Sequence, residues 1–322
     1  MRPFIDFHCD TLMMFAFAPD KASLYQNERM LDIVRMKQSG QSAQFFATFM
    51  PASEHLQKRG LTDEAYRQAL YNGLMNTLEQ YPEDIALALS WNDYLENKKA
   101  GRISAFLTFE DGRLVEGSME KLEQFYKMGY RLITLTWNYI NCFGYPNSTD
   151  PAIMNAGLTD FGKEAVVRMN ELGIIVDVSH LSDGGFWDVA AIAKKPFVAS
   201  HSCARALTPH TRNLTDEMLK KIGDTGSMVG VNFCPDFVEE TAGSRLSTVK
   251  RICDHLEYMI DKAGIESVGI GSDFDGIGGE LEVRQPTDIP KLFDELSRRG
   301  YSDDALESIA FGNAERVIKE CL

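Results

Sequence analysis

The sequence predicts an α/β protein in which eight parallel strands, each followed by a helix, close into a (β/α)8 TIM barrel. Three observations carry that expectation. Eight short apolar runs recur along the 322 residues. Stretches with helix start and stop signals separate them. Polar residues of metal-ligating type stand at the ends of several runs. Barrels of this kind reach about 250 residues and more as one unit, so residues 1–322 are expected to form a single barrel domain.

The runs are Phe4–Phe7, Ala43–Met50, Ser104–Phe109, Leu132–Thr136, Ile174–Val178, Phe197–Ser200, Met228–Phe233 and Val268–Ile270. They are nearly continuous in apolar character, as strands covered by helices require. Ile85–Leu89 is a ninth run, read as accessory to the region before the third strand. Between runs, Thr159 is placed to cap a helix whose apolar positions include Phe161, Ala165, Val166 and Met169, with Gly173 as its stop. Thr215 precedes Asp216 and Glu217, with Lys220 and Lys221 later, the charge order a helix dipole favours. Ser302 starts a final helix through Ala305, Leu306, Ile309 and Ala310. A doubly wound open sheet is the competing architecture. No GxGxxG follows an early run, which weakens its dinucleotide-binding form. Repeats, low-complexity stretches and linkers are not visible.

Composition narrows the function. With 44% apolar and 25% charged residues the chain is globular, not disordered. Lys plus Arg total 33 against 47 Asp plus Glu, a net charge of −14. That balance argues against nucleic acid and against anionic membrane surfaces, both of which require a basic face. No apolar run reaches the roughly 18 residues of a membrane-spanning helix. Charge and a histidine interrupt Met1–His8 too early for a signal-peptide core, so a cytoplasmic protein is expected. Six cysteines (Cys9, Cys142, Cys203, Cys234, Cys253, Cys321) lack CxxC spacing and are expected to be reduced thiols.

The strand ends carry the chemistry. The first ends in Asp6-Phe7-His8-Cys9-Asp10. His8 and Asp10 are two apart, so in extended chain they share a face, with Cys9 on the other. The third ends at Glu110, the fifth at His180 and the sixth at His201; the eighth ends in Gly271-Ser272-Asp273-Phe274-Asp275-Gly276. In a parallel barrel all these ends meet at one mouth, where active sites lie. Each residue alone has a bland reading, as a hydrogen-bonded structural histidine, an ion pair or a turn former. Together they suit a metal centre of Zn²⁺, Mn²⁺, Fe²⁺ or Co²⁺. A pair of ions sharing one carboxylate lowers the pKa of a water held between them and polarises a carbonyl. Asp273 is then free to take and return the water proton.

At these residues the chain resembles the membrane (renal) dipeptidase family of zinc dipeptidases, among the amidohydrolase-like barrels. The matching segments are Asp6–Thr11, Phe109–Gly112, Leu132–Thr136, Val176–Ser182, Ser200–Ala204, Arg212–Leu214, Val231–Phe233 and Gly271–Gly276. They keep the family's order over nearly the whole chain. The resemblance implies a barrel with two Zn²⁺ per subunit, Mn²⁺, Co²⁺ or Fe²⁺ being alternatives. It makes His8 and Asp10 ligands of one ion, His180 and His201 ligands of the other, and Glu110 the bridging carboxylate. It also makes Asp273 the acid/base, Arg212 the grip on the substrate's terminal carboxylate, and the protein a homodimer acting on dipeptides, L-D pairs included. Another small amide, a lactone or a β-lactam is the alternative substrate, and a non-catalytic metal-binding protein the alternative class. One departure stands out. The animal enzymes carry a histidine after the Leu132–Thr136 strand, and here Trp137 takes that place, followed by Asn138 and Tyr139 as candidate substrate contacts. Trp cannot accept a proton. The Gly144–Asn147 loop is a candidate pocket rim. His55, His210 and His255 are read as solvent-exposed, and Asp177 as either orienting a ligand imidazole or pairing with a backbone donor.

Overall fold

In the computed structural model, which describes residues 2–241 and 243–322, the strand order closes on itself. The barrel strands are β1 (Phe4–Cys9), β2 (Gln41–Phe49), β3 (Ile103–Glu110), β4 (Tyr130–Thr134), β5 (Ile175–Asp177), β6 (Val198–Ser202), β7 (Met228–Val231) and β8 (Val268–Ile270). Each pairs in parallel with its neighbours, and β1 pairs with both β2 and β8, so the barrel has no free edge. All eight apolar runs are strands of this barrel. The ninth run forms a short accessory strand, Ile85–Leu87, on the first half of β3. From Leu107 onward β4 takes over that same edge.

The helix signals act as expected. The Thr159, Thr215 and Ser302 hydroxyls accept the backbone N–H of Gly162, Met218 and Ala305, contacts typically worth about 1 kcal/mol each. Gly173 stops its helix at φ 83°, a conformation glycine adopts without penalty. The final helix runs further than its apolar pattern indicates. A wide turn at Ser308–Gly312 joins Asp303–Glu307 to Asn313–Cys321. Asn313 donates to the carbonyls of Ile265 and Val268, which ties this turn to the start of β8. None of the helices among the described residues is long and apolar enough to cross a membrane. The six cysteines are all free.

Two apolar layers fill the molecule. Inside the barrel lie Ile5, Phe7, Phe45, Phe106, Leu132, Ile175, Val198 and Met228. The Phe7, Phe45 and Phe106 rings stack at centroid spacings of 4.3 and 4.5 Å. Between strands and helices lie residues such as Phe4, Phe46, Phe109, Ile133, Val176 and Ala199. Burying each such side chain contributes about 1.5–3 kcal/mol, and the packed interior makes the barrel mouth a rigid rim.

His255 corrects the sequence reading. His55 is exposed and His210 half-buried, but His255 is fully buried. It shares a helix face with Ile252, Leu256 and Met259, so the helical period carries it inward. Both ring nitrogens are used. Nδ1 accepts the Ala204 N–H at 3.1 Å and Nε2 donates to the Val238 carbonyl at 3.1 Å. Burial pushes its pKa down to about 4, so the ring is neutral. Because the folded pKa lies below the ordinary histidine value, this bond set stabilises the fold fully above about pH 6.5 and is lost as pH falls towards 4. His255→Leu is expected to cost roughly 1–3 kcal/mol near neutral pH by leaving both backbone groups unpaired. Urea unfolding of both proteins should show that difference narrowing between about pH 6.5 and 4; a difference constant with pH would contradict the assignment.

Candidate metal centre

Alternation along β1 and β6 does not by itself deliver the histidines to the mouth. Ile5 and Phe7 point into the barrel, so strict alternation would send His8 among the helices. Between Asp6 and Cys9, however, β1 takes three steps where β2 takes two, from Gln44 to Phe46. This bulge turns His8 inward and puts Cys9 in the outer layer. β6 repeats the device. From Ala199 to Ser202 it takes three steps against two on β7, and His201 turns inward. The two imidazoles then stack, centroids 3.8 Å apart.

Each bulge frees backbone amides, and a buried aspartate takes them up. Asp6 Oδ1 accepts the N–H of His8 (3.3 Å) and of Ser272 (2.8 Å), and Oδ2 accepts the Ser272 hydroxyl. Asp177 Oδ1 accepts the N–H of Ser179 and of Ser200, each at 2.9 Å. Its Oδ2 accepts the Ser200 and Thr134 hydroxyls. Of the two roles expected of Asp177 it pairs with backbone donors; it touches no imidazole, and only the Ser200 hydroxyl it accepts lies 2.7 Å from His201 Nδ1.

The donors gather around Glu110, which is 3% exposed. Its Oε2 lies 3.2 Å from His8 Nε2, which is itself 3.6 Å from Asp10 Oδ2 and 3.9 Å from Asp273 Oδ1. Its Oε1 lies 2.9 Å from His180 Nε2 and 3.5 Å from His201 Nε2. The two oxygens of one carboxylate thus face two separate donor groups. The hydrogen-bond network assigns the tautomers. His180 Nδ1–H points at Asn138 Oδ1, 3.1 Å away. The Ser200 hydroxyl donates to Asp177, so it accepts from His201 Nδ1–H. Both Nε2 atoms therefore present bare lone pairs, only 3.1 Å apart. Two nitrogens on one tetrahedral zinc ion at about 2.1 Å would be roughly 3.4 Å apart. His8 Nε2, Asp10 Oδ1 and Glu110 Oε2 are buried without hydrogen-bond partners. Converging lone pairs and three buried carboxylates are mutually repulsive unless cations lie among them. The residues fit a metal centre, with His8, Glu110 and His201, and His8, Asp10 and Asp273, as groups able to hold an ion.

The charges push each group's protonation apart. Burial and the Glu110 charge raise Asp10 well above the usual carboxylate range. Burial, again with Glu110, pushes Asp273 up to about 6, although His8 and Asn232 pull it down. Burial also favours neutral Glu110, but the attraction of His8 holds it well below its ordinary value. Burial and the Arg212 charge push His180 down to about 4. His201 lies well below its ordinary value through burial and the charges of His8 and Arg212. His180 and Asp273 also adopt left-handed backbone, φ 65° and 63°. Such conformations cluster at functional sites and cost of order 1–3 kcal/mol each.

Above the donors is a cavity of about 200 Å³. Asp10, Glu110, Asn138, His180 and Asp273 line it on the polar side, and Met13, Phe49, Trp137, Phe237 and Ile277 on the apolar side. Trp137 sets its ring edge-on to Phe49, 4.9 Å away. Asn138 reaches the cavity with its carbonyl directed at His180. Tyr139 does not line it; its ring is half-exposed and packs on Trp137. The Gly144–Asn147 loop buttresses the site from behind, with Asn147 N–H donating to the His180 carbonyl at 2.7 Å. Arg212 is 4% exposed behind His201. Its Nη1 and Nη2 donate to Ser202 Oγ and the His201 carbonyl, and its guanidinium carbon lies 5.8 Å from the Phe237 ring. Its Nε has no partner, and among the described residues no carboxylate lies within 4.0 Å of it.

Asn232 lies in the Val231–Phe233 segment that carries the family resemblance, but the sequence reading gave it no role. It is fully buried just past the end of β7 and donates to Asp273 Oδ2 at 2.8 Å. Its position after an apolar run is the signal that marked the other site residues, but amides are not typical zinc ligands. Gly276 was visible only as a turn glycine. A Cβ there would stand 2.0 Å from Asp10 Oδ2 and 2.5 Å from Asp273 Oδ1.

Known proteins resemble this chain in sequence and fold. The family model described as membrane dipeptidase (peptidase family M19) matches residues 1–321. The dipeptidase ataJ of Aspergillus terreus is 32% identical over 314 residues, covering 90% of this chain and 76% of its own. An uncharacterized dipeptidase of Schizosaccharomyces pombe is 32% identical over 305 residues, with coverages of 90% and 71%. Among solved structures, the M19 metallopeptidase called dipeptidase AC superposes with a TM-score of 0.90 at 26% identity, over 99% of this chain and 98% of its own. A metallopeptidase from Rhodobacter sphaeroides, liganded with a phosphinate mimic of the dipeptide L-Ala-D-Ala, also has a TM-score of 0.90. It is 25% identical, over 100% of this chain and 99% of its own.

Gly276→Ala is expected to displace the Asp10 and Asp273 carboxylates and weaken metal binding roughly 10–100-fold, with little change in the unfolding midpoint. Metal titration followed by calorimetry checks this; unchanged affinity would mean that the cradle tolerates a methyl group.

Proposed function

Because the chain belongs to the membrane dipeptidase family, peptidase family M19, we propose that it hydrolyses the peptide bond of free dipeptides, L-D pairs included, at two zinc ions. The observation that carries this reading is Glu110, whose two oxygens face two separate donor groups. His8 and Asp10 would hold one ion and His180 and His201 the other, with Glu110 shared. Bound there, the ions would supply an acidified water near neutral pH and a polarised substrate carbonyl.

The chain's own residues do the rest. Asp273 Oδ1 takes a proton from the attacking water as the new C–O bond forms. It then gives that proton to the amine nitrogen as the C–N bond breaks. Arg212 is a buried cation with no carboxylate partner in reach, so a substrate carboxylate would neutralise it. The cavity of about 200 Å³ is smaller than the roughly 300–1,000 Å³ of drug-sized ligand sites, in keeping with a small substrate. Asn138 contributes by holding His180. The phosphinate mimic of L-Ala-D-Ala on the Rhodobacter sphaeroides protein is the reason to include L-D substrates.

The test is amino-acid release from L-L and L-D dipeptides, a tripeptide and C-terminally amidated dipeptides, with metal content measured in parallel. Expected is chelator-sensitive cleavage of free dipeptides only, with two zinc ions per chain. Arg212→Met should raise KM for free dipeptides by at least about tenfold, the scale of one lost charge-assisted hydrogen bond. Two bound metals without dipeptide cleavage would redirect the site to another small amide, a lactone or a β-lactam.

A further inference from the structure

Asp273 offers two oxygens, and only one faces the donor groups. Oδ1 lies 3.9 Å from His8 Nε2, while Oδ2 lies 2.8 Å from Asn232 Nδ2. The Asn232 amide cannot be turned round. Its Oδ1 accepts the backbone N–H of Cys234 at 2.6 Å, so its NH₂ must face Asp273. Asn232 is fully buried, and among the described residues it is the one hydrogen-bond donor to this carboxylate. The Asp273 backbone is pinned separately. Its N–H donates to the His8 carbonyl at 3.2 Å, its carbonyl accepts the Gly276 N–H at 3.1 Å, and the neighbouring Ser272 is held by Asp6. Those contacts leave the terminal carboxylate torsion free, and such torsions are broad. A proton-transferring oxygen must stay within about 2.6–3.2 Å of its partner.

We propose that Asn232 is the positioning residue of the proton transfer: by occupying Oδ2 it commits Oδ1 to receiving the water proton and delivering it to the leaving amine. This rests on the dipeptidase reading above, in which Asp273 carries that proton. Asn232 touches neither substrate nor metal donors; it acts through Asp273 alone.

The test compares Asn232→Asp and Asn232→Leu in the zinc-loaded protein with a cleaved dipeptide. Asn232→Asp has the shape of the native residue and keeps an acceptor for the Cys234 N–H, so it separates loss of the donor from loss of the fold. Expected is a kcat lowered roughly 10–100-fold, with KM and zinc content within about threefold of the parent. In the Asp273→Asn background the same substitutions should lower the residual turnover by no more than about threefold, because both residues serve one step. Unchanged kcat, an equal loss in the Asp273→Asn background, or loss of zinc would overturn the proposal while leaving the dipeptidase reading in place. Undiminished turnover by Asp273→Asn itself would remove the proton carrier and both readings of that residue with it.

Discussion

A carboxylate buried among three imidazoles is the constraint on which this structure turns. Glu110 has almost no contact with solvent, and its two oxygens each meet nitrogen donors from different strands. The His180 and His201 rings have their protons committed elsewhere, so their lone pairs converge on the same space. Adding Asp10 and Asp273 brings three carboxylates into one buried pocket. Cations among these groups would relieve their repulsion, which makes the pocket a candidate metal centre by electrostatics before any comparison is drawn.

Holding that arrangement falls to the scaffold. The stacked phenylalanines beneath the site and the closed ladder around it give a rim that does not collapse. On that rim β1 and β6 each carry a bulge that redirects a histidine. Each bulge exposes amides that would be costly to bury unpaired. Asp6 and Asp177 accept those amides and reach across to a serine on the neighbouring strand. One local solution is used twice on the barrel. The left-handed backbone of His180 and Asp273 is held by backbone hydrogen bonds, from Asn147 to the His180 carbonyl and from Asp273 to the His8 carbonyl.

The division of labour around the site follows from burial. Asp273 keeps one oxygen tied to Asn232 and turns the other toward His8. Arg212 is fixed by Ser202 and the His201 carbonyl, and its Nε has no partner. Phe49, Trp137 and Phe237 form an apolar wall of the cavity above these groups.

The sequence by itself determined the eight strands, because parallel strands covered by helices must be apolar throughout, and eight such runs are visible as text. It also determined the residue types at the mouth, since His8, Asp10, Glu110, His180, His201 and Asp273 all follow apolar runs. What it did not determine is how those side chains are aimed. The period of two sends His8 and His201 the wrong way, and only cross-strand register reveals the bulges that correct them. His255 looked exposed because its neighbours in sequence are polar, while its neighbours in space are the loops it ties together. Asn232 and Gly276 have the same origin. Their roles come from what lies against them across the barrel, and contacts between distant strands leave no local pattern in the chain.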